Sequence, residues 1–258
     1  MSALTKDGAP HQTAFAKASI LAYGIFSYLV FFACFLYAVG FIGKLGTPTA
    51  IDGPANMAWP AALGINSALL ALFALQHSVM ARPFFKRWLT RYIPQAAERS
   101  TYVLMSSIAL AAVFAWWEPL GGEIWHVEST VGRTALYAGF GLGWLVVLYS
   151  TFLINHFDLF GLRQVWLEFR GQAYSELKFV MPWMYRIIRH PLYFGWLMVL
   201  WLTPDMTITH LVFAGLTTAY VFIGMHLEER DLKNAHPDYR DYQQQVPMII
   251  PGLKGMKK

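Results

Sequence analysis

The sequence predicts an all-α integral membrane protein, and three observations indicate that fold class. The 258 residues are 56% hydrophobic and only 14% charged, whereas a soluble domain carries about a quarter charged residues. Aromatic residues make up 16% of the chain and include ten Trp, a residue type enriched where membrane proteins meet the lipid headgroups. The apolar residues are gathered into runs of the length that a bilayer requires, about 20 residues as helix.

Four of these apolar runs are long enough to cross a bilayer, namely residues 20–42, 59–80, 101–117 and 134–154. The last run contains Gly139, Gly141 and Gly143, small residues that permit close packing between membrane helices. The polar stretch before the first run is too long for a signal peptide, and no small-residue cleavage site follows that run. We therefore expect the first run to be a retained span.

A fifth apolar region is interrupted in its middle. Residues 192–203 and 208–225 are apolar, and Pro204 and Asp205 separate them. Pro-Asp is a turn signal, and polar backbone is tolerated at membrane depth where protein surrounds it. The sequence thus predicts four transmembrane helices plus a C-terminal helical hairpin, five to six spans in total.

Loop charges predict the orientation of the spans. Residues 82–99 carry five basic side chains against one acid, whereas residues 118–133 carry three acids against one base. Because basic loops stay in the cytoplasm, the first loop is expected inside and the second outside. Both termini and the polar segments 155–190 and 227–258 then face the cytoplasm, and we expect a bacterial inner membrane location.

Several functional classes are disfavoured by composition. The single cysteine, Cys34, lies in an apolar run, and the chain has no CxxC or Cys/His spacing for a metal. The eight His residues are scattered, whereas a di-iron desaturase needs them closely spaced. The net charge of +5 is spread over short loops, which does not indicate a nucleic-acid partner.

The stretch RHPLYFGW, residues 189–196, begins the fifth apolar region. Pro191 suits the first position of a helix, with His190 at the cap and Tyr193 one turn further on the same side. A helix start binds anions through its free N–H groups, and Arg189 adds positive charge. The alternative is an ordinary membrane-entry helix with a snorkelling Arg189, and the spacing alone does not decide between them.

The stretch HLEERD, residues 226–231, follows the hairpin. Glu228 and Glu229 are expected at the cytoplasmic end of a helix, where the helix dipole disfavours carboxylates. They therefore need a cation: Arg189, Arg230 or a charged ligand, or Lys233 in a plain surface salt bridge. A hairpin brings its two ends together, so an anion site and a cation site become neighbours. S-adenosylmethionine carries a carboxylate and positive charges, which suits both.

Together these motifs resemble the membrane methyltransferases related to isoprenylcysteine carboxyl methyltransferase. The shared pattern is Arg-His-Pro-x-Tyr-x-Gly, then Glu-Glu, then the tail YRDYQQQVP, and it covers about the last third of the chain. The resemblance implies that S-adenosylmethionine, without a metal, is bound there and that the C-terminal segment folds over it. The cofactor-binding residues it implies are Phe179, Val180, Tyr185, Arg189, His190, Pro191, Tyr193, Gly195, His226, Glu228, Glu229, Tyr239 and Arg240.

The rest of the chain, with QHSVMARPFFK at 76–86 and NHFDLFGLRQVW at 155–166, resembles the branch that contains methanethiol S-methyltransferases and NnrU-like proteins. This resemblance implies methylation of methanethiol, a small volatile thiol, to dimethyl sulfide. We expect a single domain over 1–258, in which the four-span bundle 20–154 forms the substrate side. The remaining part, 155–258, supplies the cofactor-binding loop, the hairpin and the C-terminal cap.

A thiol must lose its proton to become a good nucleophile. Asp158 and His156 are the predicted base or proton relay, and Arg163 is expected to stabilise the thiolate or to hold Asp158. His77, beside Gln76 within the second span, is a further catalytic candidate, because polar groups inside spans are often functional. Helix caps would explain the first group equally well, and interhelical hydrogen bonds would explain the second.

Two other functions fit the same pattern. A related methyltransferase acting on a prenylated cysteine or a lipid amine would need a lateral opening to lipid rather than a small closed pocket. An accessory membrane protein could also have kept the scaffold without the activity. Membrane lipids are expected partners in every case, and the sequence leaves the oligomeric state open.

Overall fold

The computed structural model describes residues 13–175, 177, 180–235 and 238–252. Helices dominate these residues, with two one-turn 3-10 helices at Gln95–Ala97 and Trp183–Arg186 and a two-stranded antiparallel ribbon. The helices are α1 (Ala14–Gly43), α2 (Trp59–Met80), α3 (Pro83–Leu89), α4 (Glu98–Trp116), α5 (Thr130–Ile154), α6 (His156–Leu159), α7 (Leu162–Phe169), α8 (Pro191–Trp201), α9 (Ile208–Ala235) and α10 (Tyr239–Gln245). The strands are β1 (Glu123–His126) and β2 (Asp205–Thr207).

Five helices in the described part of the chain are long and apolar enough to cross a membrane: α1, α2, α4, α5 and α9. The prediction of a helical integral membrane protein is therefore confirmed. Helix α2 has the predicted bounds, whereas α1, α4 and α5 begin three to six residues earlier than their apolar runs.

Polar caps explain two of these earlier helix starts. The Thr13 side chain accepts a hydrogen bond from the Ala16 amide at the start of α1, and Ser129 does the same for the Gly132 amide of α5. Such caps satisfy amides that the first helical turn leaves unpaired. Hydropathy does not register them, so the apolar runs underestimate the lengths of the helices.

The predicted hairpin differs from the structure in its turn. The two helices α8 and α9 are joined through β2, which pairs with β1 from the connection between α4 and α5. Asp205 in β2 receives two hydrogen bonds from the Arg133 guanidinium of α5, at 2.8 and 2.9 Å. The connection is thus an anchored strand and not the tight Pro-Asp turn that the sequence indicated.

Helix α8 has 11 residues, about 16 Å at a rise of 1.5 Å per residue, against a hydrocarbon core of about 30 Å. It packs closely on α5: a methyl group added at Gly195 would lie 2.8 Å from the Gly143 carbonyl oxygen. One added at Gly139 would lie 2.7 Å from Leu202. Both α5 glycines permit close packing as expected, whereas Gly141 has no neighbouring atom within 4 Å of such a group.

Helix α9 continues well beyond the apolar run that ends at Met225. It reaches Ala235 because the residues after Met225, LEERDLK among them, are mostly good helix formers. Glu228 and Glu229 therefore lie about two turns before the end of α9, and the expectation that they terminate the helix was wrong. The extension places the two carboxylates opposite the start of α8.

Candidate active site

Arg189, His190 and Glu229 form one buried cluster where α8 begins. The Arg189 Nε donates to Glu229 Oε1 at 2.7 Å, and the His190 Nε2 lies 3.0 Å from the same oxygen. All three side chains are less than 10% exposed. Helix α8 begins at Pro191 with His190 at its cap, as the sequence predicted. The cation that pairs with Glu229 is therefore Arg189, one of the partners expected from the sequence.

The segment after α9, which includes α10, is fastened to this cluster. The Arg189 guanidinium donates to the carbonyls of Gln243 and Val246 at 2.9 and 2.6 Å. The Gln243 amide donates to the second oxygen of Glu229 at 2.7 Å. The backbone amide of Arg189 also donates to the Pro247 carbonyl at 2.9 Å. These contacts define a clasp, formed by residues 243–248, that covers the start of α8.

Two tyrosines complete the attachment of this segment. Tyr239 and Tyr242 of α10 are buried, and the Tyr242 hydroxyl donates to the Tyr185 carbonyl at 2.5 Å. Burial raises the pKa of Tyr242 to about 12 and also raises the pKa of the Tyr185 hydroxyl. The hydroxyls of Tyr242 and Tyr185 therefore remain protonated at neutral pH.

Glu228 differs from its neighbour in its exposure. Its side chain is 48% exposed, and its carboxylate lies 4.0 Å from His190 Nδ1. Tyr193, whose ring centroid is 5.6 Å from that of His190, lies beside it. Because Glu229 is occupied by Arg189, His190 and Gln243, Glu228 is the carboxylate of the pair that can meet an external cation.

The other residues implied to bind the cofactor are distributed more widely. Gly195 lies in the contact between α8 and α5, where it permits close helix packing. The His226 Nδ1 lies 2.7 Å from the Phe222 carbonyl of its own helix. Val180 and Arg240 are exposed, and Phe179 lies outside the described residues.

Asp158 lies in a compact knot formed by the segment 155–175. Its Oδ1 accepts from Arg163 at 2.8 Å, and its Oδ2 accepts from the Tyr174 hydroxyl at 3.3 Å. Arg163 also donates to the carbonyl and hydroxyl of Ser175. Of the two roles expected for Arg163, this contact fits the second, in which Arg163 holds Asp158. The cap of α6 is Asn155, whose side chain accepts from the Asp158 amide.

His156 is buried with both ring nitrogens bonded. The Thr151 hydroxyl donates to the Leu148 carbonyl and lies 2.7 Å from His156 Nδ1, and the Tyr28 hydroxyl lies 2.8 Å from Nε2. This pattern assigns a proton to Nδ1 and makes Nε2 the acceptor. Burial lowers the pKa of His156, so the ring is neutral, and its lone pair is used by Tyr28.

His77 lies between α2 and α4. Its Nδ1 is 3.2 Å from the Ser106 hydroxyl, and its Nε2 is 2.8 Å from the Tyr102 hydroxyl. Sequence reasoning missed Tyr102 and Ser106, because hydroxyls inside an apolar run give no periodic signal. The amide oxygen of the neighbouring Gln76 is buried and has no partner among the described residues.

The candidate residues thus form separate groups. No hydrogen bond or ion pair among the described residues joins the Asp158 knot to the Arg189 cluster. In the same residues no group of three or more His, Cys, Asp or Glu side chains could hold a metal ion. A helical bundle of membrane-spanning length with paired cationic and anionic side chains at one end defines a polytopic membrane protein with a buried polar cluster.

Comparison with known proteins makes this class specific. The chain is 52% identical over 237 residues to a methanethiol S-methyltransferase of Crocosphaera subtropica, and the aligned region covers 92% of this chain and 93% of that protein. It is 48% identical over 232 residues to one of Mycobacterium tuberculosis, covering 90% and 95%. Nurim of Bos taurus is 30% identical over 232 residues, covering 83% and 86%.

The chain therefore belongs to the methanethiol S-methyltransferase family, and it is a membrane-embedded methyltransferase that requires a methyl donor. The prediction of an enzyme is confirmed, which disfavours the accessory-protein alternative. No family model matches the chain, and no solved structure matches it.

Proposed function

We propose that this enzyme transfers the methyl group of S-adenosylmethionine to methanethiol and so produces dimethyl sulfide. The observation that carries this proposal is the similarity to six proteins named for that activity, at 45–52% identity over about nine-tenths of the chain. The buried Arg189–His190–Glu229 cluster and the half-exposed Glu228 support it, because they offer both charge types at one site.

The residues present fit a zwitterionic cofactor. A helix start such as that of α8 suits a carboxylate, and the half-exposed Glu228 carboxylate suits an amine or a sulfonium. Arg189 and Glu229 would support the site without contacting the cofactor, because their own charges are satisfied within the protein. Pro191, Tyr185 and Tyr239 would then shape the site, with Arg240 and Val180 at its exposed edge. S-adenosylmethionine, when bound, supplies an electrophilic methyl group.

Acceptor activation is the second requirement of the reaction. A small alkanethiol is largely protonated at neutral pH, since a cysteine thiol has a pKa of about 8.5. Two groups in the chain are candidates for the proton acceptor: Asp158, held by Arg163, and His77, held by Tyr102 and Ser106. Once the thiol is activated, positioning the thiolate in line with the methyl group supplies much of the remaining rate.

We also propose that the site opens to the cytoplasm of a bacterial inner membrane. The loop 82–99 is basic and the loop 118–133 is acidic, which favours the first on the inner side. The Arg189 cluster belongs to the same side as loop 82–99, because Arg82 pairs with Asp231 near the inner end of α9 at 2.8 Å. A soluble cofactor would then reach the site from the cytoplasm.

The proposed function is tested with purified protein, methyl-labelled S-adenosylmethionine and a panel of acceptors. The panel contains methanethiol, hydrogen sulfide, longer thiols, a prenylated cysteine and a phospholipid amine. We expect labelled dimethyl sulfide as the main product. Hydrogen sulfide should be a poorer acceptor by a modest factor, because one methyl group in an apolar pocket contributes about 1–3 kcal/mol.

Transfer to the prenylated cysteine but not to methanethiol would overturn the substrate assignment. Equilibrium binding of S-adenosylmethionine to the same preparation tests the cofactor assignment separately. No detectable binding by protein that is folded and monodisperse would contradict that part of the proposal.

A further inference from the structure

A second polar cluster lies inside the helical bundle, away from the Asp158 knot. It brings together His77 of α2 with Tyr102 and Ser106 of α4, at the distances given above. The Phe73 ring stacks on the His77 ring with centroids 5.3 Å apart. The imidazole is therefore fixed in orientation, with an apolar face on one side and hydroxyl groups at both nitrogens.

Helix α9 adds the next part of this cluster. The Tyr220 hydroxyl lies 3.1 Å from the Ser78 hydroxyl of α2, and the Tyr220 ring contacts Phe73 at 6.4 Å between centroids. Tyr220, Gly224 and Glu228 are four residues apart and so share one face of α9. This face leads from the His77 cluster toward the proposed cofactor site.

Tyr193 of α8 lies between the His77 cluster and the proposed cofactor site. Its hydroxyl would lie 3.7 Å from a methyl group built on Gly224, on the face of α9 that Tyr220 and Glu228 share. Tyr220 and Tyr193 therefore place hydroxyl groups along this face, between the His77 cluster and Glu228.

The exposure of these side chains indicates that they line a recess. His77, Tyr102, Ser106, Tyr193 and Tyr220 are all half-buried, neither fully packed nor fully exposed. Polar side chains at membrane depth almost always face the bundle interior or a water-filled cavity and not lipid. We therefore expect the half-buried polar side chains of α2, α4, α8 and α9 to line a small polar recess inside the bundle.

The charge beside the recess favours an anion. The Arg99 guanidinium of α4 lies 5.8 Å from the centroid of the Tyr102 ring. The titratable groups near His77 are Tyr102 and Arg99 of α4, with Tyr220 of α9 in contact with the Phe73 ring that stacks on the imidazole. A nearby cation stabilises a thiolate.

We propose that this recess, which we call the α2–α4–α9 recess, binds the methyl-accepting thiol and that His77 accepts the thiol proton through the Tyr102 hydroxyl. This inference rests on the proposed function and names its acceptor site. The Tyr102 hydroxyl gives its proton to the imidazole Nε2 and takes up the S–H proton in its place, and a lone pair of the thiol sulfur forms the new C–S bond. The old bond between the methyl group and the sulfonium breaks, and its electron pair stays on the cofactor sulfur as a neutral thioether.

The alternative acceptor, Asp158, is less suited to this task. Its two carboxylate oxygens already accept from Arg163 and Tyr174. No hydrogen bond or ion pair among the described residues joins Asp158 to the Arg189 cluster, where the methyl donor is proposed to bind. The knot around Asp158 instead holds the segment 155–175 against α1, where Val165 packs on Gly24.

The test compares two acceptors of different acidity in the variant His77→Asn. With methanethiol at neutral pH we expect a loss of about 100-fold in kcat/KM, in the range typical for one general base. With a small thiol that is already ionised at the assay pH, the His77→Asn variant should keep most of the wild-type kcat/KM. Raising the pH should also restore activity with methanethiol, because the thiolate then forms without a base.

Matched variants separate this role from a structural one. His210→Asn changes another buried histidine, whose ring is hydrogen-bonded to the Leu200 carbonyl near the end of α8. Any loss of kcat/KM in this variant should be equal for both thiols. Asp158→Asn should likewise show no acceptor dependence. If His77→Asn does not fold, Tyr102→Phe removes the hydroxyl at the imidazole and should reproduce the acceptor dependence. Equal losses with both thiols, in His77→Asn or in Tyr102→Phe, would overturn the inference.

A binding measurement provides a readout without turnover. In the presence of S-adenosylhomocysteine, which has no methyl group to donate, methanethiol bound to the wild-type protein should show the ultraviolet absorbance of a thiolate. His77→Asn should abolish this signal at neutral pH, and a signal of unchanged size would contradict the inference. If the wild type methylates no thiol at all, the proposed function fails, whereas the His77 result concerns only the acceptor site.

Discussion

Glu229 shows how one side chain can hold several parts of the molecule together. Its two oxygens accept from Arg189, His190 and Gln243, which belong to the start of α8 and to the clasp. The sequence indicated that two acids after the hairpin need a cation, and Arg189 was one of the candidates. Gln243 could not be predicted, because nothing in the run QQQ shows which amide faces inward.

Removing the charge of Glu229 should therefore release the clasp. In Glu229→Gln the buried Arg189 would lose its counter-charge, and breaking a buried pair in this way costs about 3–5 kcal/mol. We expect faster proteolytic cleavage after α9 and weaker binding of S-adenosylmethionine. Both are measured on protein in detergent, by timed digestion and by equilibrium binding.

Glu228→Gln is the matched control, since the exposed neighbour makes no contact with the clasp among the described residues. It should weaken cofactor binding and leave the digestion pattern unchanged. Equal protease resistance of Glu229→Gln and wild type would show that the clasp does not depend on this carboxylate.

At the scale of elements, the apolar runs predicted all five long helices, because burial in lipid requires about 20 apolar residues whatever the tertiary contacts. The ends of the helices depend on caps such as Thr13 and Ser129, which hydropathy does not register. The β1–β2 ribbon could not be foreseen either, since strands of three and four polar-flanked residues have no periodic pattern of their own.

The contact between α8 and α5 depends on glycine. In Gly195→Val the new side chain would meet the Gly143 carbonyl and Val147, whose atoms lie 2.8 Å from the first added carbon. Overpacking of this kind costs about 1–3 kcal/mol, so we expect a lower unfolding temperature in detergent and reduced cofactor binding.

Gly141→Val provides the comparison, because nothing lies within 4 Å of a methyl group built at that position of α5. It should leave the unfolding temperature close to that of the wild type. A similar loss of stability in both variants would mean that β-branching in a membrane helix, and not the α5–α8 contact, causes the effect.

The groups proposed to bind the cofactor lie at one polar end of the molecule. The resemblance implied these residues because they lie in short sequence motifs. It did not predict the α2–α4–α9 recess, whose members come from four separate helices. Long-range convergence of single hydroxyls has no local sequence pattern, so it becomes visible only in the folded bundle.

The orientation of the bundle is testable with single cysteines. In a Cys34→Ser background, Glu128→Cys places a thiol in the acidic loop and Arg91→Cys places one in the basic loop, and both positions are exposed. A membrane-impermeant maleimide should label the first in intact spheroplasts and the second only after lysis. The opposite pattern would reverse the proposed topology and move the cofactor site to the outside.

The clasp also has a consequence for the order of biosynthesis. Chains fold from the amino-terminal end as they are made, so α8 and α9 are available before residues 243–248 have emerged. Until those residues emerge, the Arg189 side chain lacks the carbonyls of Gln243 and Val246 as hydrogen-bond acceptors. The backbone amide of His190 likewise lacks the Met248 carbonyl. The contacts around Arg189 therefore form only when this last segment docks on the helices made before it.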